Sequence, residues 1–464
     1  MGSAGAGYHA FMAPPVAPRL ISHLDPKQVL DSLSSHMLVD GYHVVMDLKR
    51  SHGNFIHDSL HGVEILDFYS HFATCPIGYA HPKVTTPEFL EELAWAAVTK
   101  PANSDIYTEQ MALFVETFSR LSVPASHANH MFFVEGGALA IENALKAAFD
   151  WKVRRNFRKG HRREVGTKIL HFEQAFHGRS GYTLSLTNTA DPRKTMYFPK
   201  FDWPRVVNPK LTFPLTPESL ARTAAVEELA IRQIHQALAE NPDDVAALIM
   251  EPIQGEGGDN HFRPEFLKRL RTICDENDLL FILDEVQTGM GLTGSMWAFQ
   301  GLGVEPDMFT FGKKTQVCGL ASNDRIMEEP ENVFNVSSRI NSTWGGNLVD
   351  MVRCRKFLEI MVEENLVENA KTTGEFLLGK LAELAAEFPG KMTNIRGRGL
   401  FIAFDLPDAK TRGDVLSCWL KKHNVMALAS GDRAIRLRPP LTLTKDEAAL
   451  GVQRLRAALT EVVG

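Results

Sequence analysis

Two apolar runs near the middle of the chain end abruptly in groups that can do chemistry. Leu280-Phe-Ile-Leu-Asp284-Glu285-Val286-Gln287 delivers a carboxylate, and Asp307-Met-Phe-Thr-Phe-Gly-Lys313-Lys314 delivers an amine. Each reads as a buried parallel strand, and in an open α/β sheet ligands bind at the carboxyl ends of the strands. A lysine amine becomes nucleophilic when burial lowers its pKa, and a nearby carboxylate favours the protonated form of a basic ring nitrogen. That pair suits a cofactor with both an aldehyde and a ring nitrogen, which pyridoxal 5'-phosphate (PLP) has. Upstream, Met131–Val134 reads as a strand, Glu135-Gly136-Gly137 as a turn and Ala138–Lys152 as a helix. Alone, such a Gly-Gly is a plain tight turn. Beside Lys313 and Asp284 it reads as an anion cradle, in which Gly137 and Ala138 offer backbone N–H groups to the PLP phosphate.

A family resemblance rests on these residues. Asp284-Glu285-Val286-Gln287-Thr288-Gly289, Trp297-Ala298, Pro306-Asp307 and Gly312-Lys313 resemble the signature of the class III (omega) aminotransferases. Phe311-Gly-Lys-Lys-Thr-Gln-Val-Cys-Gly319 and Asn341-Ser-Thr-Trp-Gly-Gly-Asn347 resemble its L-lysine 6-aminotransferase branch. The similarity runs from about Leu20 to the end. Leu292 departs from the Arg of many members, at a position with no assigned chemistry.

The resemblance implies PLP-dependent transferase fold type I, an α/β large domain with a mostly parallel seven-stranded sheet plus a smaller α+β domain. It selects Lys313 over Lys314 as the Schiff-base lysine and Asp284 as the partner of the pyridinium nitrogen. Phe176, in Glu173-Gln-Ala-Phe-His-Gly-Arg179, would stack on the ring, and Gln287 would reach its phenolic oxygen. Thr343 would touch the phosphate of a neighbouring subunit, which implies a homodimer with shared sites. The implied reaction moves the terminal amine of L-lysine to 2-oxoglutarate, giving L-glutamate and 2-aminoadipate 6-semialdehyde. Two carboxylates on 2-oxoglutarate call for two cations, Arg179 and Arg436. A terminal-amine donor has one carboxylate, and Glu256 would then neutralise Arg436. Ornithine or 4-aminobutyrate as donor are the neighbouring readings, and a PLP aminomutase or decarboxylase the more distant one.

The elements that must position these groups follow from the rest of the pattern. With 464 residues the chain has length for two or three domains. Residues 1–20 are Gly/Ala/Pro-rich and read as a disordered tail. Residues 21–87 form an N-terminal segment, including hairpin strands at Gly62–Tyr69, that packs with the small domain. Alternating strands and helices over 88–346 make the large PLP-binding domain, and 347–464 the C-terminal small domain, with strands at Arg398–Phe404 and Ala434–Arg438. Gly289-Met-Gly-Leu-Thr-Gly294 matches GxGxxG formally, but opens no clear helix, so a dinucleotide site is set aside. His71 and His81 read as structural loop histidines.

A net charge of -6 argues against a nucleic-acid footprint. The one basic run, Lys152–Arg163, reads as a solvated helix end and loop. Five cysteines lack metal-ligand spacing and read as reduced thiols, with no metal site. No run is long enough to span a membrane, and the start has no secretory pattern, so a cytoplasmic protein is expected.

Overall fold

The apolar runs pair side by side in a computed structural model that describes residues 23–464. The tail expected over 1–20 lies outside the described residues. In chain order the strands are β1 (Phe55–Asp58), β2 (Val63–Asp67), β3 (His130–Val134), β4 (Lys168–Phe172), β5 (Arg205–Val206), β6 (Val245–Met250) and β7 (Leu280–Asp284), then β8 (Met308–Phe311), β9 (Cys318–Ser322), β10 (Thr393–Arg398), β11 (Phe401–Asp405), β12 (Val425–Met426), β13 (Leu428–Ser430) and β14 (Ala434–Leu437).

Seven of them form one sheet in the order β3-β9-β8-β7-β6-β4-β5. Strand β9 is antiparallel to both neighbours, and the other pairings are parallel. Successive residues of the central strands enter opposite layers, as the pleat requires. Ile249, Leu280, Ile282 and Met308 pack with Ile141, Leu145 and Trp151 of the helix Gly137–Arg158. Leu248, Met250, Phe281, Leu283 and Phe309 face the other layer, with Phe266 and Leu270 of the helix Pro264–Glu276. Burial from both sides explains the unbroken apolar runs. Each fully buried Leu or Ile contributes roughly 1.5–3 kcal/mol.

The second sheet is antiparallel, β10-β11-β14-β13, and carries Arg436. A third joins the hairpin β1-β2 to β12 by a parallel pairing, tying residues before 87 to the C-terminal part.

The structure differs from the sequence reading at several places, among them the helix Pro217–Glu240, which the sequence reading did not identify. Arg398–Phe404 is a hairpin rather than one strand: Gly399 turns it at φ 56°, between β10 and β11. The helix from Gly137 runs on to Arg158, and Lys152 in the basic run is buried, its Nζ donating to the Asp278 carbonyl at 2.8 Å. Burial lowers that amine to about 8. The helix Ala409–His423 was absent from the sequence pattern. The Gly289–Gly294 loop opens no helix, as expected, and all five cysteines are unpaired. Among the described residues no helix is long and apolar enough to cross a membrane.

Candidate active site

Asp284 ends β7, whose five residues are all buried. Its Oδ2 accepts from His177 Nδ1 at 2.8 Å, and its Oδ1 from the Val286 N–H at 3.0 Å. His177 is fully buried on the segment after β4, where its N–H donates to Thr187 Oγ1 at 3.0 Å. Glu251, just past β6, accepts from the Phe176 N–H at 3.0 Å and the Gly255 N–H at 2.9 Å, so it fixes the backbone that carries Phe176. Burial pushes the Glu251 carboxyl up, with His177 opposing and Asp284 adding. Glu285 points away from this group: its Oε1 accepts from the Phe299 N–H at 2.8 Å and its Oε2 from Thr288 Oγ1.

Thr310 of β8 stands beside Asp284 in register, so Lys313 emerges just beyond it. A side chain at Gly312 would be crowded: a Cβ would sit 3.0 Å from Cys318 Sγ and 3.3 Å from Val286 Cγ1. Lys313 then takes φ 53° and opens a single 3-10 turn, Lys313–Thr315. Left-handed backbone at a non-glycine residue costs about 1–2 kcal/mol and persists only where its surroundings impose it. Burial pulls the Lys313 amine below its ordinary pKa; Asp284 opposes this and Arg436 adds to it. Lys314 turns elsewhere, donating to the carbonyls of Gln287 at 3.0 Å and Ala73 at 3.2 Å.

Gly136, at φ 99°, precedes the helix Gly137–Arg158. The first helical bond at this end runs from the Ala140 N–H to the Gly136 carbonyl at 3.1 Å, leaving the N–H groups of Gly137 and Ala138 outside the helical ladder. A Cβ on Gly137 would meet Val286 Cγ1 at 3.1 Å, so the helix end sits directly on the loop after Asp284.

The cations arrive from β14. Arg436 is buried, its Nη2 donating to Glu256 Oε2 at 2.5 Å and its Nη1 to Gln287 Oε1 at 3.4 Å. Gln287 Oε1 also accepts from Arg438 Nε at 3.0 Å, and Arg438 pairs with Asp259 at 2.7 Å. Lys194 Nζ donates to Glu256 Oε1 and stands 5.8 Å over the Phe176 ring. Burial alone would raise Glu256, but Arg436 and Lys194 outweigh it and hold the carboxyl below its ordinary value.

Asp284, Lys313, Gln287, Glu256, Arg436 and Phe176 therefore share one crevice at the carboxyl ends of the strands, with Gly137 and Ala138 at its edge. Two expected residues make no side-chain contact with this group. Arg179 is exposed and makes no side-chain hydrogen bond or ion pair among the described residues. Thr343 is exposed, and its carbonyl accepts from Ser104 Oγ at 3.2 Å.

The sequence matches the family Aminotransferase class-III over residues 37–459. The chain belongs to the class III aminotransferases. It is 50% identical to the L-lysine-epsilon aminotransferase of Mycobacterium tuberculosis (strain ATCC 25618 / H37Rv) over 439 residues, 94% of this chain and 96% of that protein. It is 49% identical to the L-lysine-epsilon aminotransferase of Amycolatopsis lactamdurans over 446 residues, 96% of this chain and 98% of the relative. A solved lysine aminotransferase from M. tuberculosis superposes with a TM-score of 0.92 at 49% identity, over 95% of this chain and 100% of that one.

Class III aminotransferases are fold type I enzymes that use PLP, and the crevice fits that group. An acid at a strand end, an amine facing the same space and open helix N–H groups match its ring nitrogen, carbonyl and phosphate in kind. Three residues that touch this group had no assigned role in the sequence reading: His177, Glu251 and Lys194. Only Glu251 carried a visible signal, a carboxylate at the end of an apolar run. His177 and Lys194 meet their partners through long-range contacts that no local pattern announces.

Proposed function

We propose that this enzyme moves the terminal amine of L-lysine to 2-oxoglutarate, producing L-glutamate and 2-aminoadipate 6-semialdehyde. The observation that carries the reading is the Arg436–Glu256 pair beside Lys313. An arginine needed for the second carboxylate of 2-oxoglutarate would be costly next to the aliphatic chain of a terminal-amine donor unless neutralised. Glu256 supplies that neutralisation. The lysine aminotransferases that share half its sequence support the donor assignment.

When bound, PLP supplies the carbonyl that takes up the amine and a ring that accepts the electron pair left when a C–H proton departs. The protein's own groups do the rest. Lys313 anchors the cofactor, and its Nζ then takes the proton from the carbon bearing the substrate's amine and returns it during transfer. Asp284, oriented by His177, keeps the ring nitrogen protonated. Gly137 and Ala138 would hold the phosphate, Phe176 would cover the ring and exclude water, and Gln287 would serve the phenolic oxygen. Arg179 binds the carboxylate common to both substrates. Arg436 binds the second carboxylate of 2-oxoglutarate once Glu256 has left it.

Thr343 acts on the phosphate of a partner subunit, so the working form is a homodimer. Residues 88–346 form the cofactor domain and 347–464 the small domain, with 21–87 joined to the latter by the β2–β12 pairing. Its unpaired thiols fit a reducing cytoplasm.

L-lysine carrying heavy nitrogen at the ε position tests the reading directly. Incubated with PLP-loaded enzyme and 2-oxoglutarate, it yields labelled glutamate; label supplied at the α position stays in the lysine-derived product. Glutamate that remains unlabelled from ε-labelled lysine would exclude this donor.

A further inference from the structure

Glu256 is held by two cations of different burial. Arg436 lies within β14 and is buried. Lys194 closes a short 3-10 turn, Pro192–Lys194, whose start is capped by the Asp191 side chain accepting from the Arg193 N–H. The side chains of Lys194 and Glu256 are each 24% exposed, so this second contact lies at the mouth of the crevice. The Glu256 backbone is tied down, its carbonyl accepting from the Gly431 N–H at 3.0 Å, which leaves the side chain as the part that can swing.

Release of Arg436 to an acceptor's carboxylate would strip Glu256 of one of its two cations. A mostly buried carboxylate without a counter-charge is strongly unfavourable. Arg412, the other cation that senses Glu256, has its Nη1 donating to the carbonyls of Gly431 at 2.9 Å and Ser430 at 3.4 Å. Lys194 makes no other ion pair among the described residues, and its flexible stem can follow a moving carboxylate.

We propose that Lys194 is a positioning residue for the acceptor half-reaction: it stays paired with Glu256 when Glu256 leaves Arg436, so that Arg436 is free for the second carboxylate of 2-oxoglutarate. This rests on the amine-transfer reading above and adds to it the group that receives the displaced glutamate. In the lysine-bound state Glu256 keeps Arg436, and Lys194 is dispensable there. In the acceptor-bound state Lys194 is the remaining counter-charge.

The test is Lys194→Met, which keeps length and removes charge, with Lys194→Arg as the conservative variant. The two half-reactions are followed separately, L-lysine on the PLP-loaded enzyme and 2-oxoglutarate on enzyme whose cofactor has first been aminated. Loss of one charge-assisted hydrogen bond in the acceptor state is expected to raise KM for 2-oxoglutarate about ten-fold, with KM for L-lysine held within about two-fold. Lys194→Arg restores the wild-type ratio. A lower KM for 2-oxoglutarate, or equal changes for both substrates, overturns the proposal, since the first describes a latch against the acceptor and the second a structural brace. Glu256→Gln distinguishes failure of the glutamate switch from failure of the Lys194 role. It is expected to weaken the lysine half-reaction selectively. If it shifts neither half-reaction, the glutamate switch falls and the role of Lys194 with it; if only Lys194→Met lacks its effect, the Lys194 assignment alone is wrong.

Discussion

At the residue scale, two adjacent lysines with opposite fates make the sharpest case. Lys313 and Lys314 are identical side chains in a Gly-Lys-Lys run, yet only one faces the crevice. Lys313 takes a positive φ and its amine feels the Asp284 carboxylate, while Lys314 spends its amine on two backbone carbonyls. Lys313→Ala is therefore expected to lower kcat by more than about 10³-fold with no rescue from its neighbour. Single-turnover transfer and thermal melting check this together: turnover is lost while the fold persists. Activity near the wild-type level would mean the chemistry uses another amine. Asp284 and Lys313 were legible in the sequence because apolar runs that stop in charge are rare and local. His177 was not. It reaches Asp284 from 107 positions away, and nothing in a Phe-His-Gly triplet says which strand end it will meet.

At the scale of elements, the strand carrying Asp284 delivers a second acid with a different role. Glu285 is fully buried, and burial raises its carboxyl to about 7 against the pull of Thr288 and the Phe299 N–H. A carboxyl whose folded pKa exceeds its unfolded value of about 4.3 stabilises the fold fully below that value. Its contribution is lost as pH climbs to about 7 and stays lost above it. Glu285→Gln can keep both hydrogen bonds, accepting from the Phe299 N–H and donating to Thr288, without the titration. The variant is expected to melt higher than wild type by a margin that opens between about pH 4.5 and 7, worth roughly 1–3 kcal/mol above it. Melting curves across that range decide it, and a margin independent of pH would remove the titration from the account. Strands β3, β7 and β8 and the helix from Gly137 were legible at this scale, while the longest helix, Pro217–Glu240, was not. The β10–β11 hairpin was hidden because Gly399 turns the chain inside one apolar-looking run. The helix Ala409–His423 was hidden because it buries only Val415, Cys418 and Trp419, too few for a visible stripe.

At the scale of the molecule, the protomer carries an apolar surface next to Thr343. Trp95 and Val98 end the helix Pro87–Val98 at 71% and 72% exposure, and Ile106 and Tyr107 follow at 67% and 76%. The segment between them is stitched to the Thr343 loop: Lys100 Nζ lies 3.8 Å over the Trp344 ring, the Asn103 N–H donates to the Trp344 carbonyl at 3.2 Å, and Ser104 Oγ donates to the Thr343 carbonyl. An exposed patch of large apolar side chains is a place for a partner to bind. A subunit seated on Trp95–Tyr107 would meet Thr343 as well, which joins the proposed dimer to the proposed phosphate contact. Val98→Asp with Tyr107→Asp changes only exposed side chains, so each protomer keeps its core. The double variant is expected to sediment as a monomer where the wild type sediments at twice the chain's mass. It should also lose PLP on gel filtration, because Lys313, Asp284 and the Gly137 helix end remain but the partner's Thr343 is gone. A monomer that retains PLP as firmly as wild type would detach Thr343 from the phosphate, and a wild-type monomer would detach the apolar face from dimerisation.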